Sequence, residues 1–246
     1  MDKKYEEKLL EEIKIRGLCK STTQSYLNAI HQFTKFSDKA CGELDISEAK
    51  KHLVFLRDVK KLAARSVNAR RAAIVFYLRH VLGQRIDPGI LPQMKTPITI
   101  PVVLTKEEIA LMVNSLHNVF YKTVLIGLYS TGLRVSELAD LKVTDVDSKE
   151  MVINVWNGKG NKDRKALLSP IFLKYLRLYW QKFRVGQKYQ SEYLFASSRP
   201  TPKSRARSGK LCSQTFCYIV KLAAKNAGIK KKSIHTLLDT HLLPTF

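Results

Sequence analysis

The sequence predicts a mainly α-helical protein of two domains with one small β-hairpin. Apolar residues recur with helical spacing through residues 1–85, and repeated prolines interrupt that pattern over residues 86–104. A second helical region, over residues 105–246, contains two short alternating segments joined by an Asn-Gly pair, which is typical of a hairpin. We therefore place a helical domain at 1–85, a linker at 86–104 and a second domain at 105–246.

Four helices account for the first domain. The first is expected to end near Gly17, and Ser21 is predicted to cap the second. Asp45 and Glu48 have the spacing of a capping box and open the third helix. Ser66 is predicted to cap the fourth. Each helix carries an apolar stripe, so the four are expected to pack into a compact all-α unit.

The second domain begins with another capping box, formed by Thr105 and Glu108. A strongly apolar helix over 119–129 is expected to be central to the core, and Gly132 lies just past its end. The remaining elements are predicted in this order: a short helix over 134–141, strands over 151–156 and 164–168, and helices over 171–183 and 213–227.

The charge of the chain indicates a polyanionic partner. Lys and Arg number 43 against 21 Asp and Glu, giving a formal net charge of +22, and nucleic acid is the commonest polyanion in a cell. No apolar run approaches the roughly 20 residues of a membrane-spanning helix, and no signal peptide opens the chain. The four cysteines lack zinc-site spacing. We therefore expect a cytoplasmic, nucleic-acid-binding protein without membrane association or a zinc site.

Two basic regions are candidates for contacts with a nucleic-acid backbone. Polar positions of the fourth helix hold Arg65, Arg70 and Arg71, which are predicted to contact phosphates, although a solvated helix face has the same pattern. Residues 199–232 contain ten basic residues and no acidic one. Within them Lys203, Arg205 and Arg207 lie in a Pro/Ser-rich loop, where the alternative is charge that only aids solubility.

Three further segments have residue types suited to phosphate chemistry. The first is Ser-Thr-Gly-Leu-Arg-Val-Ser-Glu-Leu-Ala-Asp-Leu at 130–141, the second is Gly-Lys-Gly-Asn-Lys-Asp-Arg at 158–164, and the third begins with Ile-His-Thr-Leu at 234–237. Together with the helical N-terminal region, they resemble tyrosine recombinases (phage integrases) of the Xer and integron-integrase kind. The resemblance implies an N-terminal helical, SAM-like core-binding domain followed by an α+β catalytic domain.

The resemblance also implies a reaction and its partners. In this family a tyrosine hydroxyl attacks the scissile phosphate of double-stranded DNA at a recombination site, forming a 3′-phosphotyrosine link that a second strand's hydroxyl then reverses. The link conserves the ester energy, so no metal or nucleotide cofactor is needed, and protein cations must stabilise the phosphate instead. Other recombinase protomers are expected partners.

By the same resemblance, each motif supplies one site residue. Arg134 corresponds to the first phosphate-binding arginine, Lys159 to the hairpin lysine that protonates the leaving oxygen, and His235 to the first histidine. Glu137, one turn after Arg134, is expected to orient it. Without the resemblance, Arg134 would be interpreted as an exposed arginine at a helix start and Lys159 as a solvated turn residue. The remaining hairpin cations, Lys162 and Arg164, are expected to contact the DNA backbone.

The third motif departs from the family pattern. Leu238 stands where the second arginine is expected, Asp239 stands where the second histidine is expected, and no tyrosine follows His235. An alternative alignment assigns His241 to a later helix, but the arginine is missing there too. We therefore expect a C-terminally truncated catalytic domain and a DNA-binding chain that is catalytically incomplete. The alternatives are an accessory or architectural protein that competes for recombination sites, a chain whose tyrosine comes from a partner, and a general RNA-binding module.

Overall fold

The computed structural model describes residues 2–87, 89–97, 104–156, 163–186, 191–196 and 209–230. The chain forms two compact units, Met1–Thr99 and Ile100–Phe246, and each unit has its own hydrophobic core. The described residues are mainly helical, with one three-stranded antiparallel sheet in the second unit. The predicted fold class is confirmed.

Four α-helices build the first unit, as predicted. The last of them passes directly into a π-helical turn, Tyr77–Val81, and Gly83 then takes a positive φ of 69°. The side chains of Leu9, Ile30, Phe33 and Ile74 are fully buried between the helices. The helices are α1 (Lys3–Ile15), α2 (Lys20–Phe36), α3 (Ile46–Asp58) and α4 (Ala64–Phe76).

Two of the predicted helix caps are wrong. α2 begins after Cys19 instead of Ser21, and α4 begins after Ala63 instead of Ser66; neither Cys19 nor Ala63 makes a capping hydrogen bond with its side chain. The backbone carbonyls of Cys19 and Ala63 already accept the first helical hydrogen bonds, so both serines lie inside the first turn. Asp45, by contrast, caps α3 as predicted, since its carboxylate accepts the backbone N–H of Glu48 at 2.9 Å.

The segment after the π-turn runs along α4 without regular secondary structure. Ile86 and Leu91 are buried in the first core. Asn68 exchanges two hydrogen bonds with the backbone of Met94, at 2.8 and 2.9 Å. Arg71 donates through Nε to the carbonyl of Leu91, and Arg79 donates through Nη2 to the carbonyl of Ile86 at 2.7 Å. Two arginines of the fourth helical region therefore hold this segment against the first unit.

In its described residues the second unit combines five α-helices with the sheet. Its strand order is β1-β2-β3, and Val155 of β2 lies opposite Arg164 of β3. The two-residue strand β1, reached from α7 through a 3-10 turn at Val143–Asp145, was not expected from the sequence. The elements are α5 (Lys106–Asn114), α6 (Val119–Thr131), α7 (Val135–Asp140), β1 (Val146–Asp147), β2 (Val152–Val155), β3 (Arg164–Leu167), α8 (Pro170–Phe183) and α9 (Ser213–Asn226).

α6 is central to the second core, as its apolar sequence predicts. Val124, Leu125 and Leu128 are fully buried. Gly127 faces α8 so closely that a Cβ added there would lie 2.6 Å from Cε2 of Phe172. The close approach of the two helices therefore requires glycine at this position.

Candidate nucleic-acid interface

A sharp corner between two helices fixes the backbone of Arg134. α6 ends at Thr131, and Gly132 takes a left-handed conformation with φ of 63°, which glycine adopts without steric cost. The next side chain, Leu133, is fully buried. Arg134 is then the N-cap residue of α7. The corner thus places Arg134 between the buried Leu133 and the first turn of α7.

Glu137 holds the Arg134 side chain. Its carboxylate accepts the backbone N–H of Arg134 at 2.8 Å and Nη1 of the same residue at 2.6 Å. The Glu137 side chain is only 8% exposed, whereas that of Arg134 is 23% exposed. The predicted orienting role of Glu137 is confirmed: the guanidinium is held from the protein side and still reaches the surface.

A second guanidinium reaches the same carboxylate from the hairpin. Nη2 of Arg164 lies 2.6 Å from Oε2 of Glu137, and the Arg164 side chain remains 37% exposed. Arg164 is the first residue of β3, so this ion pair joins the base of the hairpin to α7. Sequence reasoning assigned Arg164 only to the DNA backbone and missed this contact, because no local spacing relates the two residues.

The chemistry of this cluster suits a phosphate. Two guanidiniums and one carboxylate leave a formal charge of +1, and the buried carboxylate limits the rotational freedom of both cations. A planar guanidinium can donate two parallel hydrogen bonds to phosphate oxygens. We call Arg134, Glu137 and Arg164 the arginine cluster.

The other predicted site residues fall into two groups. On α4, Arg65 is exposed and Arg70 is half-buried, with Nε donating to Oε1 of Gln32 at 3.3 Å. Arg71 uses Nε on the carbonyl of Leu91, so it has a structural partner in addition to its predicted contact. The second group lies outside the described residues: Lys159, Lys162, Lys203, Arg205, Arg207 and His235.

Trp156, which the sequence analysis did not select, lies directly after β2. Its Nε1 donates to Oδ1 of Asp145 at 2.8 Å, yet the residue is 58% exposed. Asp145 is itself buried, and Oδ2 accepts the backbone N–H of Lys142 at 2.8 Å. The only sequence signal for this residue was an aromatic side chain directly before the turn dipeptide.

Among the described residues, no group of three or more His, Cys, Asp or Glu side chains could hold a metal ion. Within the same residues, no helix has both the length and the apolar character to span a bilayer.

Comparison with known proteins identifies the family. Residues 102–242 match the phage integrase family, and residues 6–87 match its N-terminal SAM-like domain. The chain belongs to the phage integrase family. The activity of this family is DNA integration and recombination. The two units of the chain correspond to the SAM-like and catalytic domains of a tyrosine recombinase.

Relatives of this integrase-family chain align over most of its length. It is 32% identical to y4qK of Sinorhizobium fredii, a protein named as an integrase/recombinase, over 96% of this chain and 75% of that protein. It is also 32% identical to the tyrosine recombinase XerA of Pyrococcus horikoshii, over 88% of this chain and 74% of XerA.

The integrase fold is also found in a solved structure of low sequence identity. A lambda integrase (residues 75–356) dimer bound to a COC′ core site superimposes with a TM-score of 0.69 at 17% identity. The match covers 96% of this chain and 83% of that one. At this identity the likeness establishes a shared fold.

Proposed function

We propose that this chain binds duplex DNA at recombination sites and that the arginine cluster holds one backbone phosphate there. The observation that carries the proposal is the shared carboxylate of Glu137, which brings the guanidiniums of Arg134 and Arg164 together although they belong to different motifs. A solvated helix-start arginine would not need a buried acidic partner that it shares with a strand. In the first unit, the exposed Arg65 and half-buried Arg70 supply further backbone contacts.

Lys159 and His235 take the roles that the family resemblance gives them. Lys159 precedes Arg164 by five residues, and an extended segment of that length reaches about 18 Å, which is enough to bring its ammonium to the same phosphate. There it would protonate the leaving oxygen, with His235 assisting proton transfer, in an assembly where a partner chain supplies the missing arginine and tyrosine. Lys162 and the basic residues Lys203, Arg205 and Arg207 strengthen backbone binding without reading sequence.

We expect these 246 residues alone not to carry out strand transfer. Leu238 and Asp239 stand where the family has its second arginine and second histidine. Loss of a phosphate-stabilising arginine costs about 10³–10⁵ in rate in other phosphoryl-transfer enzymes, and a carboxylate in this position repels the phosphate. We therefore infer a DNA-binding member of the family whose catalytic set is incomplete.

A titration of a labelled duplex tests the binding proposal. The logarithm of affinity should fall steeply with the logarithm of salt concentration, and Arg134→Gln should weaken binding about tenfold or more. Lys174→Gln removes an exposed cation of α8 that belongs to neither motif and should change affinity less than about twofold. Equal losses in the two variants, or no affinity for DNA, would reject the arginine cluster as a phosphate site.

A nicked suicide substrate tests the catalytic part separately. After cleavage of such a substrate the short released strand diffuses away, so a covalent protein–DNA adduct accumulates if the chain has a working nucleophile. We expect no adduct that survives denaturing electrophoresis. An adduct formed by the pure chain would show that strand cleavage does occur.

Leu238 and Asp239, which replace the second arginine and second histidine of the family, favour a second function. In it the chain is an accessory protein that occupies recombination sites without cutting them. Such a protein should inhibit a competent recombinase on a site that both bind. The inhibition should be lost in Arg134→Gln in proportion to its lost affinity. Inhibition that persists in that variant would point to protein–protein contact instead.

A further inference from the structure

The outer face of the sheet carries a fixed and exposed indole. Trp156 continues β2 by one residue, and its Nε1 is occupied by the carboxylate of Asp145 at 2.8 Å. Since the N–H is bonded and the residue is 58% exposed, most of what solvent contacts is the carbon surface of the ring. Asp145 is buried and is held in turn by the backbone of Lys142. The indole is therefore anchored at its polar edge.

The register of the hairpin separates this indole from the arginine cluster. Val155 lies opposite Arg164 and Ile153 lies opposite Ala166, so these residues share the buried face of the sheet. Alternation places Trp156 on the other face. That outer face also holds Lys165 and the strongly exposed Leu167. The base of the hairpin thus has guanidiniums on one side and an aromatic ring on the other.

The charge around the ring decides which partner fits it. Lys165 lies on the same outer face as the ring, because it pairs with Asn154 of β2, and the whole chain has a formal charge of +22. A second copy of the chain would be repelled from such a surface. A polyanion that also carries flat aromatic groups would be attracted to both the cations and the ring, and nucleic acid has this combination.

We propose that Trp156 is a stacking site for an unpaired nucleobase of the DNA that this chain binds, on the face of the sheet opposite the arginine cluster. In an intact duplex each base is covered on both faces by its neighbours, so an indole can stack only where pairing has opened. Transfer of a strand between duplexes requires such opening beside the broken phosphate. The inference rests on the proposed DNA-binding function and adds a preference for unpaired DNA.

The test uses the full chain with Trp180→Phe, because Trp156 and Trp180 are its two tryptophans. Emission then reports on Trp156 alone. Two labelled duplexes of equal length are titrated, one fully paired and one with a central three-nucleotide mismatch bubble, while indole emission and label anisotropy are both recorded. We expect stronger quenching and tighter binding with the bubble. Trp156→Ala should reduce bubble affinity about 5- to 150-fold, the range for one stacked base, and duplex affinity less than twofold.

Two further variants separate stacking from packing. Trp156→Phe keeps an aromatic face and should retain most of the bubble preference, whereas Trp156→Leu keeps apolar bulk and should lose it. If all variants bind the bubble and the duplex equally well, the stacking site is overturned and the phosphate site remains. If the unsubstituted chain binds neither DNA, the proposed function fails as well.

Discussion

The carboxylate of Glu137 lies 2.6 Å from Nη2 of Arg164, a residue 27 positions further along the chain. The same carboxylate accepts two hydrogen bonds from Arg134. One buried acid therefore fixes the helix corner and the hairpin base relative to each other before any phosphate arrives. In this arrangement little side-chain freedom remains to be lost when DNA binds.

Replacing Glu137 with Gln should destabilise the second unit and weaken DNA binding together. The amide cannot accept from both guanidiniums, so charge-assisted hydrogen bonds are lost at a nearly buried position, at a cost of about 1.5–3 kcal/mol. The free energy of unfolding can be followed by tryptophan fluorescence, because Trp156 and Trp180 both lie in the second unit.

The matched control is Glu192→Gln in the same unit. Glu192 pairs with Nζ of Lys142 at 2.8 Å, but both side chains are largely exposed, and exposed ion pairs contribute little. This variant should leave stability and DNA affinity nearly unchanged. If it and Glu137→Gln behaved alike, the shared carboxylate would have no special role.

The arginine cluster shows what the sequence could and could not predict. The Gly132 corner and the pairing of Arg134 with Glu137 were predictable, because a helix terminus and a three-residue spacing are local features. The ion pair between Glu137 and Arg164 was not, since it depends on where the hairpin packs. Trp156 was missed for the same reason: its importance comes from a hydrogen bond to Asp145, eleven residues away.

Substitution of Arg71 should reduce stability, whereas substitution of Arg65 should reduce DNA affinity, although the sequence assigned both residues to phosphate contacts. Arg71→Ala removes the donor to the Leu91 carbonyl and should cost about 1–2 kcal/mol in the first unit. Arg65→Gln changes an exposed residue, so stability should hold while affinity falls and the salt slope decreases by about 0.9. Thermal unfolding and salt titrations of DNA binding measure the two effects in each variant. If Arg71→Ala changed only DNA affinity and Arg65→Gln changed only stability, these roles of the two arginines would be excluded.

His52 makes the stability of the first unit depend on pH. It is 2% exposed beside Phe33 and Phe36, and both ring nitrogens lack a hydrogen-bond partner within the described residues. Burial, reinforced by the charge of Arg70, lowers the pKa of His52 from 6.5 to about 4. Between those values the unfolded chain binds a proton that the folded chain does not, so stability falls as the pH falls.

The expected loss at pH 5 relative to pH 7.5 is about 2 kcal/mol from this residue. His52→Leu should remove that component and keep stability at pH 7.5, because an unpaired buried polar group is replaced by an apolar one. Hydrogen exchange of the α3 amides at the two pH values measures the difference. A pH dependence that is unchanged in His52→Leu would assign it to other groups.

Local capping rules failed at the first turns of α2 and α4, and at α4 the reason is packing. Serine is a good N-cap residue, yet the N-cap residues are Cys19 and Ala63, two and three residues before Ser21 and Ser66. In the first turn of α4, the buried Val67 gains more from helical packing than Ser66 gains from capping. The first turn of α2, residues 20–23, holds no apolar residue, and nothing in the structure explains its earlier start. Asp45 and Thr105, which have no such competition, cap as predicted.

Gly127→Ala should destabilise the second unit, although alanine is the better helix former. The new Cβ would lie 2.6 Å from Cε2 and 2.8 Å from Cζ of Phe172, a fully buried ring on α8. The higher helix propensity of alanine stabilises the folded state by up to about 1 kcal/mol, whereas overpacking costs about 1–3 kcal/mol. We therefore expect the free energy of unfolding to fall by roughly 1–2 kcal/mol. Urea denaturation followed by tryptophan fluorescence measures it.

A double-mutant cycle with Phe172→Leu identifies the cause of that loss. The smaller side chain frees the space that the new Cβ needs, so the two substitutions together should cost at least about 1 kcal/mol less than the sum of their separate costs. Gly89→Ala is the control, since a Cβ there has no atom within 4 Å, and it should change stability little; its effect is followed by circular dichroism, because Gly89 lies in the first unit and both tryptophans lie in the second. Strict additivity in the cycle would mean that α6 and α8 separate freely and that the glycine is not required for their approach.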